Sequence, residues 1–356
     1  MDGNSIEVTI GIPVYEVERY VERALLSALE QDFRYPFEIL VVDDCGMDGS
    51  MDIIHRLADT HIRGGIIRII SHKSNCGVGQ AKDTIISNAK GRYLFFLDPD
   101  DWITPDTLSF LYDRAVKTGA DITIGGIVCS YTDGSTMPYR TYPDITLFHE
   151  HAGIELQIAD RIKIHGEMSA KLWSSSFLHR LQVQCNYRIF EETILDFVSN
   201  VEASSVCLAA KPVYYYSYGR EGSILTESVK KATDGMVLTM AHIINSMRAF
   251  IKEKYMSVPG VYDLYFQKVR NFYRIMLRIS PSKEQLSFFN AQVQGCISTV
   301  PSLWSLRTFN SKVMYLICRK RDTVEQYLKY HRIASAVSRS VSSLKALPRH
   351  SFMDKA

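Results

Sequence analysis

Hydrophobic residues follow two rhythms along this chain, and the change from one to the other divides it. From the N-terminus, short β-rich apolar runs alternate with stretches whose apolar positions recur every three or four residues. That alternation predicts parallel strands joined by helical crossovers, an α/β architecture. The expected strands are Glu7 to Ile12, Glu38 to Val42, Ile66 to Ile70, Tyr93 to Leu97 and Asp121 to Ile127. Between the first two, Val17, Tyr20, Val21, Ala24, Leu25, Ala28 and Leu29 form one apolar stripe, which predicts a helix from Val17 to Gln31. Asp48 to Asp59 and Gly79 to Ala89 read as two more crossovers. Thr104-Pro105-Asp106 sets a capping residue before a proline, so a fourth helix should begin there and run to Lys117.

From Val128 to His165 the pattern dissolves into polar, Tyr- and Pro-containing sequence without a period, as expected of loops or an irregular insertion. Ser169 to Leu181 and Glu191 to Ala203 read as helices, and Pro212 to Tyr218 as a tyrosine-rich strand. Beyond Gly222 helical periodicity takes over, as in Val237, Met240, Ile243, Ile244, Met247 and Ile251. A boundary is therefore expected between Glu221 and Lys230. It separates an α/β domain, 1–225 with halves 1–103 and 104–225, from a helical domain, 226–356.

Composition narrows the class. The chain has 356 residues, 46% of them hydrophobic and 22% charged, enough to build full cores and too apolar for disorder. A net charge of +2 gives no electrostatic case for nucleic-acid binding. The acidic start is unlike a secretory signal, and no apolar run approaches the ~18 residues of a membrane span. Seven cysteines without CxxC spacing fit reduced thiols in a cytoplasmic setting and speak against structural zinc. Arg319 to His350 is rich in Lys and Arg; such a segment suits an anionic membrane surface and equally suits a solvated helical face.

The residues with chemical potential fall at the expected strand ends, where a parallel sheet places its ligand crevice. They are Pro13 to Tyr15, Asp43-Asp44, Asn75 to Gly79, and Asp98-Pro99-Asp100-Asp101. Clustered carboxylates repel unless a cation sits among them, and hard oxygen ligands suit Mg²⁺ or Mn²⁺ bridging a diphosphate. An acidic turn leading into a helix reads the same way. Gly77-Val78-Gly79 could admit a phosphate at a helix start, but a dinucleotide fingerprint needs glycine where Lys82 stands. No GxxxxGK[ST] segment occurs, and His149-Glu150-His151 lacks the spacing of a zinc hydrolase.

Taken together, Ile12-Pro-Val-Tyr15, Val42-Asp-Asp44, Asp48-Gly-Ser50, Asn75-x-Gly77, Ala81-Lys82, Lys90-Gly-Arg-Tyr93 and Leu97-Asp-Pro-Asp-Asp-Trp102 form an ordered set. Ala170-Lys-Leu-Trp173, Phe190-Glu-Glu-Thr193, Pro212 to Tyr216 and Arg220-Glu-Gly-Ser223 continue it. The set resembles the family 2 glycosyltransferases of bacteria. The resemblance implies a GT-A fold, a Rossmann-like sheet that is mostly parallel. It also implies inverting transfer of a sugar from a nucleotide diphosphate donor, expected to be a UDP-sugar, to a glycan or lipid-linked oligosaccharide in surface polysaccharide synthesis.

Carried residue by residue, the resemblance puts Pro13 and Tyr15 against the nucleobase and Asp43 on the uracil edge, with Asp44 beside it. Gly77 and Lys82 join the donor set; Lys82 replaces a usual arginine, a point charge for a fork. Asp98 and Asp100 match the DxD pair toward ribose and Mn²⁺ or Mg²⁺, followed by Asp101. Arg220 is expected near the diphosphate or an acceptor charge. Glu192 falls where the family's catalytic aspartate lies, one methylene longer, and is the expected general base. Glu191 and Trp173 are the expected acceptor-side residues, with His165 a weaker candidate; most aromatics here are expected in the core. Two other readings stay open: a GT-A module that binds nucleotide sugar or a partner without turnover, and a nucleotidyltransferase sharing the sheet.

Overall fold

The structure is a computed structural model, described for residues 5–159, 162–185, 187, 189–219, 234–279, 282–297, 300, 306–307, 311–312 and 314–315. Strands β1 (Val8–Val14), β2 (Phe37–Asp43), β3 (Ile67–Ser71) and β4 (Tyr93–Phe96) run parallel. Helices α1 (Val21–Leu29), α2 (Ser50–Thr60) and α3 (Val78–Asn88) connect them. The remaining elements of this part are β5 (Trp102–Ile103), α4 (Thr107–Thr118), β6 (Ile122–Tyr131), β7 (Thr136–Arg140), β8 (Ile145–Phe148), a short α5 (Ala152–Ile154), β9 (Lys171–Ser174), α6 (Ser175–Leu181), α7 (Glu192–Glu202) and β10 (Ser205–Tyr218). One ten-stranded sheet has the order β3-β2-β1-β4-β9-β6-β10-β5, with β7 beside β6 and β8 beside β10.

The apolar runs are strands because both of their faces are covered. Along β2, Ile39 and Val41 face one core with α1 and α4, while Leu40 and Val42 face another with α3 and α6. Tyr93 and Phe95 divide from Leu94 and Phe96 in the same way. Such strands read as continuous hydrophobic runs, which is why they were legible.

Three departures from the expected elements have identifiable causes. Residues 171–174, expected within a helix, form β9, which runs antiparallel between β4 and β6. The span from Val128 to His165, expected to be irregular, extends β6 and supplies β7 and β8; both added strands are largely exposed and show no alternation. Helix α4 starts at Thr107, two residues later than Thr104-Pro105 suggested, with Asp106 at the N-cap position making no side-chain capping bond. Thr104 instead bonds the Asp106 and Thr107 side chains at 3.1 and 2.9 Å.

Beyond the sheet lie α8 (Asp234–Phe250), α9 (Val261–Ile279) and α10 (Lys283–Ile297). Their core also takes Ile194, Phe197, Val198 and Val201 from α7, whereas Leu195 points into the sheet core. Helix α7 is thus buried on both sides. The boundary expected at Glu221 to Lys230, Arg220 and the basic segment from Arg319 lie outside the described residues. Among the described residues no helix is long and apolar enough to cross a membrane.

A buried ionic chain ties these layers together. Lys171 of β9 donates to the His165 carbonyl at 2.7 Å and pairs with Asp196 of α7 at 3.7 Å. Asp196 also takes Lys268 of α9 and the Asn200 amide at 3.0 Å.

Candidate active site

Because β1, β2 and β4 are parallel, Val14, Asp43 and Asp98 come out on one edge of the sheet. The Asp98 to Asp101 turn there is bolted down from behind. The Asp98 amide donates to the Tyr214 hydroxyl at 3.1 Å, and the Asp101 carboxylate accepts the Ser217 amide at 2.7 Å. Arg23 of α1 donates to the Asp100 carbonyl at 3.1 Å and to Ser217 Oγ at 2.9 Å. Its guanidinium lies 3.6 Å over the Trp102 ring, and Trp102 stacks on Tyr215 at 5.1 Å. Asp101 is 1% exposed, and burial, with the charges of Asp100 and Asp98, pushes its carboxyl well above the usual range. It therefore shapes the turn, leaving Asp98 and Asp100 as the accessible pair.

At the end of β2 the two acids diverge. Asp43 remains half-buried at the edge and accepts the Cys45 amide at 3.0 Å. Asp44, expected with the donor, turns inward instead: it is 2% exposed and accepts the Cys76 and Gly77 amides at 2.8 and 2.7 Å. His72 completes its shell at 2.7 Å and reaches Thr84 at 2.9 Å. Asp44 thus fixes the loop before α3, and the Gly77 amide, expected near a phosphate, is already taken. Gly77 is needed there for its backbone, at φ 94°. Asp44, His72 and Cys76 offer donor atoms within 4.8 Å of one another, a mixed set unlike the oxygen-only turn at Asp98. Tyr15 stands exposed beyond β1, while Pro13 is buried within it.

Lys82 and the two glutamates are brought together across more than a hundred residues of sequence. Lys82 Nζ donates to Glu191 at 3.0 Å and also to Glu192. Burial opposes the ammonium, but Glu192, Glu191 and Asp98 outweigh it and hold Lys82 well above the ordinary lysine range. Glu192 opens α7. Burial pushes its carboxyl up to about 7, with Glu191 and Asp98 adding and Lys82 opposing. Burial likewise raises Asp98, against Lys82 and with Asp100 and Glu191. The expected phosphate lysine therefore grips the expected base in this structure. Phe190, at φ 59°, aims the start of α7 and packs on Phe272 of α9 at 5.5 Å.

Two expected acceptor residues sit elsewhere. Trp173 is 1% exposed in the sheet core, with its indole N–H on the Met168 carbonyl at 3.2 Å, so it cannot stack on a sugar. His165 is buried between the Tyr142 hydroxyl and the Ser169 carbonyl, each at 2.7 Å. Arg220 lies outside the described residues. Arg23, Ser217 and His72 escaped the sequence reading. Each acts through a partner distant in the chain, and no local spacing marks them.

The parallel edge of the sheet thus carries an acidic turn, coupled electrostatically through Asp98 to a buried Lys-Glu cluster. Residues 9–171, a little under half of the chain, match the family model "Glycosyl transferase family 2". Glycosyltransferase GlyA of Streptococcus pneumoniae is 26% identical over 79% of this chain and 38% of its own length. Succinoglycan biosynthesis protein ExoO of Rhizobium meliloti is 28% identical, over 61% of this chain and 62% of its own. The chain thus spans less than two thirds of these relatives. Among solved structures, S. aureus TarS 1–349 in complex with UDP-GlcNAc superposes with a TM-score of 0.68 at 17% identity, covering 90% of this chain and 89% of that one. That likeness establishes the GT-A fold.

Proposed function

We propose that this chain moves a sugar, with inversion, from a UDP-sugar to a hydroxyl of a glycan or lipid-linked oligosaccharide in surface polysaccharide synthesis. One observation carries the reading: Glu192, Lys82 and Asp98, distant in sequence, interact as one charged cluster at the strand-end edge. A carboxylate raised to about 7 beside that edge suits proton transfer, which favours turnover over binding alone. Relatives support the reading by name, including the poly(ribitol-phosphate) beta-glucosyltransferase of Bacillus spizizenii and TarS with UDP-GlcNAc.

In this mechanism Glu192 accepts the acceptor hydroxyl's proton as that oxygen bonds to the anomeric carbon. The bond from the anomeric carbon to the diphosphate breaks on the opposite face, and an α-linked donor gives a β-linked product. Lys82 opposes the burial that raises Glu192, favouring its ionised form, and offers positive charge to the departing diphosphate. Asp98 and Asp100 fit a divalent cation: both are carboxylates, and the charge of Asp100 adds to the burial that raises Asp98. When bound, Mn²⁺ or Mg²⁺ supplies neutralisation of the leaving group. Asp43 and Tyr15, still accessible on the edge, hold the base.

The test is a screen of UDP-, GDP- and dTDP-sugars with Mn²⁺ or Mg²⁺, reading nucleoside diphosphate release. Metal-dependent release from a UDP-sugar, lost in Asp100→Ala and Glu192→Gln, is the expected result. Donor binding with full release in Glu192→Gln removes Glu192 as base. No binding of any nucleotide sugar overturns the donor site.

A further inference from the structure

A row of tyrosines leads away from the acidic turn and has no part in the chemistry above. Alternate residues of a strand share a face, so Tyr214, Tyr216 and Tyr218 of β10 line up at two-residue intervals. Tyr214 begins the row, touching the Asp98 amide through its hydroxyl at 3.1 Å. Tyr216 stacks with Tyr139 of β7 at 6.2 Å and 23°. Tyr218 meets Tyr216 at 6.4 Å and Tyr131 of β6 at 5.3 Å, both edge to face. Tyr218 and Tyr139 are exposed, at 54% and 41%. Arg140 covers one side of Tyr139 at 3.9 Å and donates to its hydroxyl at 2.9 Å, holding the ring in place.

We propose that this wall of Tyr131, Tyr139, Tyr216 and Tyr218 is the acceptor subsite, binding a neutral glycan whose sugar rings pack against the exposed parts of Tyr218 and Tyr139. The inference rests on the transferase reading and says which way the acceptor chain runs. Rigid aromatics present broad apolar faces at small entropic cost, and pyranose rings offer C–H faces of matching size. Continuity with the active edge points to the occupant: Asp101, Asp100 and Asp98 act electrostatically on Tyr216, and Glu167 acts on Tyr139 ahead of the opposing charge of Arg140. Acid along the path repels an anionic polymer and leaves an uncharged chain favoured. The row's spacing leads such a chain's end toward Asp98 and the Glu192 cluster.

The experiment uses the full chain on an array of neutral hexose and N-acetylhexosamine oligosaccharides, uronic-acid oligosaccharides and polyol-phosphate oligomers. UDP binding is measured separately on the same preparations. Tyr218→Ala and Tyr139→Ala are expected to weaken neutral-glycan binding about three- to tenfold each, with UDP affinity unchanged. Tyr218→Phe and Tyr139→Phe should retain binding, because the ring face is kept. Binding confined to the anionic probes, no glycan binding at all, or equal loss in the Phe and Ala variants overturns the proposal. Loss of UDP binding in the wild type strikes the transferase reading instead, and glycan capture by the wall is read independently of it.

Discussion

Glu192 has to be ionised to take a proton, and its carboxyl sits at about 7 before substrate arrives. The acid limb of kcat/KM is therefore expected near pH 7, with activity falling as pH drops and the carboxylate is protonated. Lys82 is the charge that opposes the upward shift, so Lys82→Met should move that limb to higher pH, and a pH-rate profile of both proteins checks the direction. A limb that stays in place would show that another group titrates. At this scale the sequence was informative about identity and silent about pairing. The motif order singled out Glu192, Lys82 and Asp98, yet the sequence separation of 110 between Lys82 and Glu192 hid their contact. Asp43 and Asp44 are adjacent in sequence, and both were expected in the donor set. Only the fold shows that one faces outward while the other is spent on the Cys76-Gly77 loop.

Helix α3 and the segment before α7 must lie very close for that pair to form. A Cβ on Gly79 would meet the Cys185 carbonyl oxygen at 1.6 Å and that of Tyr187 at 2.5 Å. Backbone cannot yield as a side chain tip does. Gly79→Ala is thus expected to cost about 1–3 kcal/mol in a denaturant titration and to lower turnover by parting Lys82 from Glu192. The acidic turn depends on α1 in a different way. Arg23 both donates twice and stacks on Trp102. A lysine keeps the charge and loses the planar fork, so Arg23→Lys should raise the donor KM several-fold with a small change in Tm. Strands β1, β2 and β4 were legible because both faces are buried and largely apolar, and β3 by its three isoleucines. Strand β9 was not, since four residues running straight into α6 carry no period of their own. Strands β7 and β8 were hidden by exposure, which removes the alternation that marks a half-buried strand.

For the molecule as a whole, α7 is the hinge of the construction, with the sheet core on one side and the core of α8 to α10 on the other. Asp196 lies in that helix between two lysines, 3% exposed. Asp196→Ala leaves Lys171 and Lys268 without their shared carboxylate and is expected to cost about 3–5 kcal/mol, measured by urea unfolding. Because the same helix begins with Glu192, part of the loss should appear as reduced turnover before global unfolding. The position of β9 reaches further, into the order in which the protein can be made. Residues 171–174 fill the gap between β4 and β6, so both of those strands leave the ribosome with an open side. Translation at about 5–20 residues per second leaves the edge of β4 unpaired for roughly 4–15 s. During that interval the nascent chain displays a bare apolar strand edge, the feature most prone to pairing with a neighbour. Yield of folded protein should therefore be sensitive to chaperone supply during synthesis, and a chain cut before Lys171 should aggregate although it retains β1 to β4 and every donor-side acid.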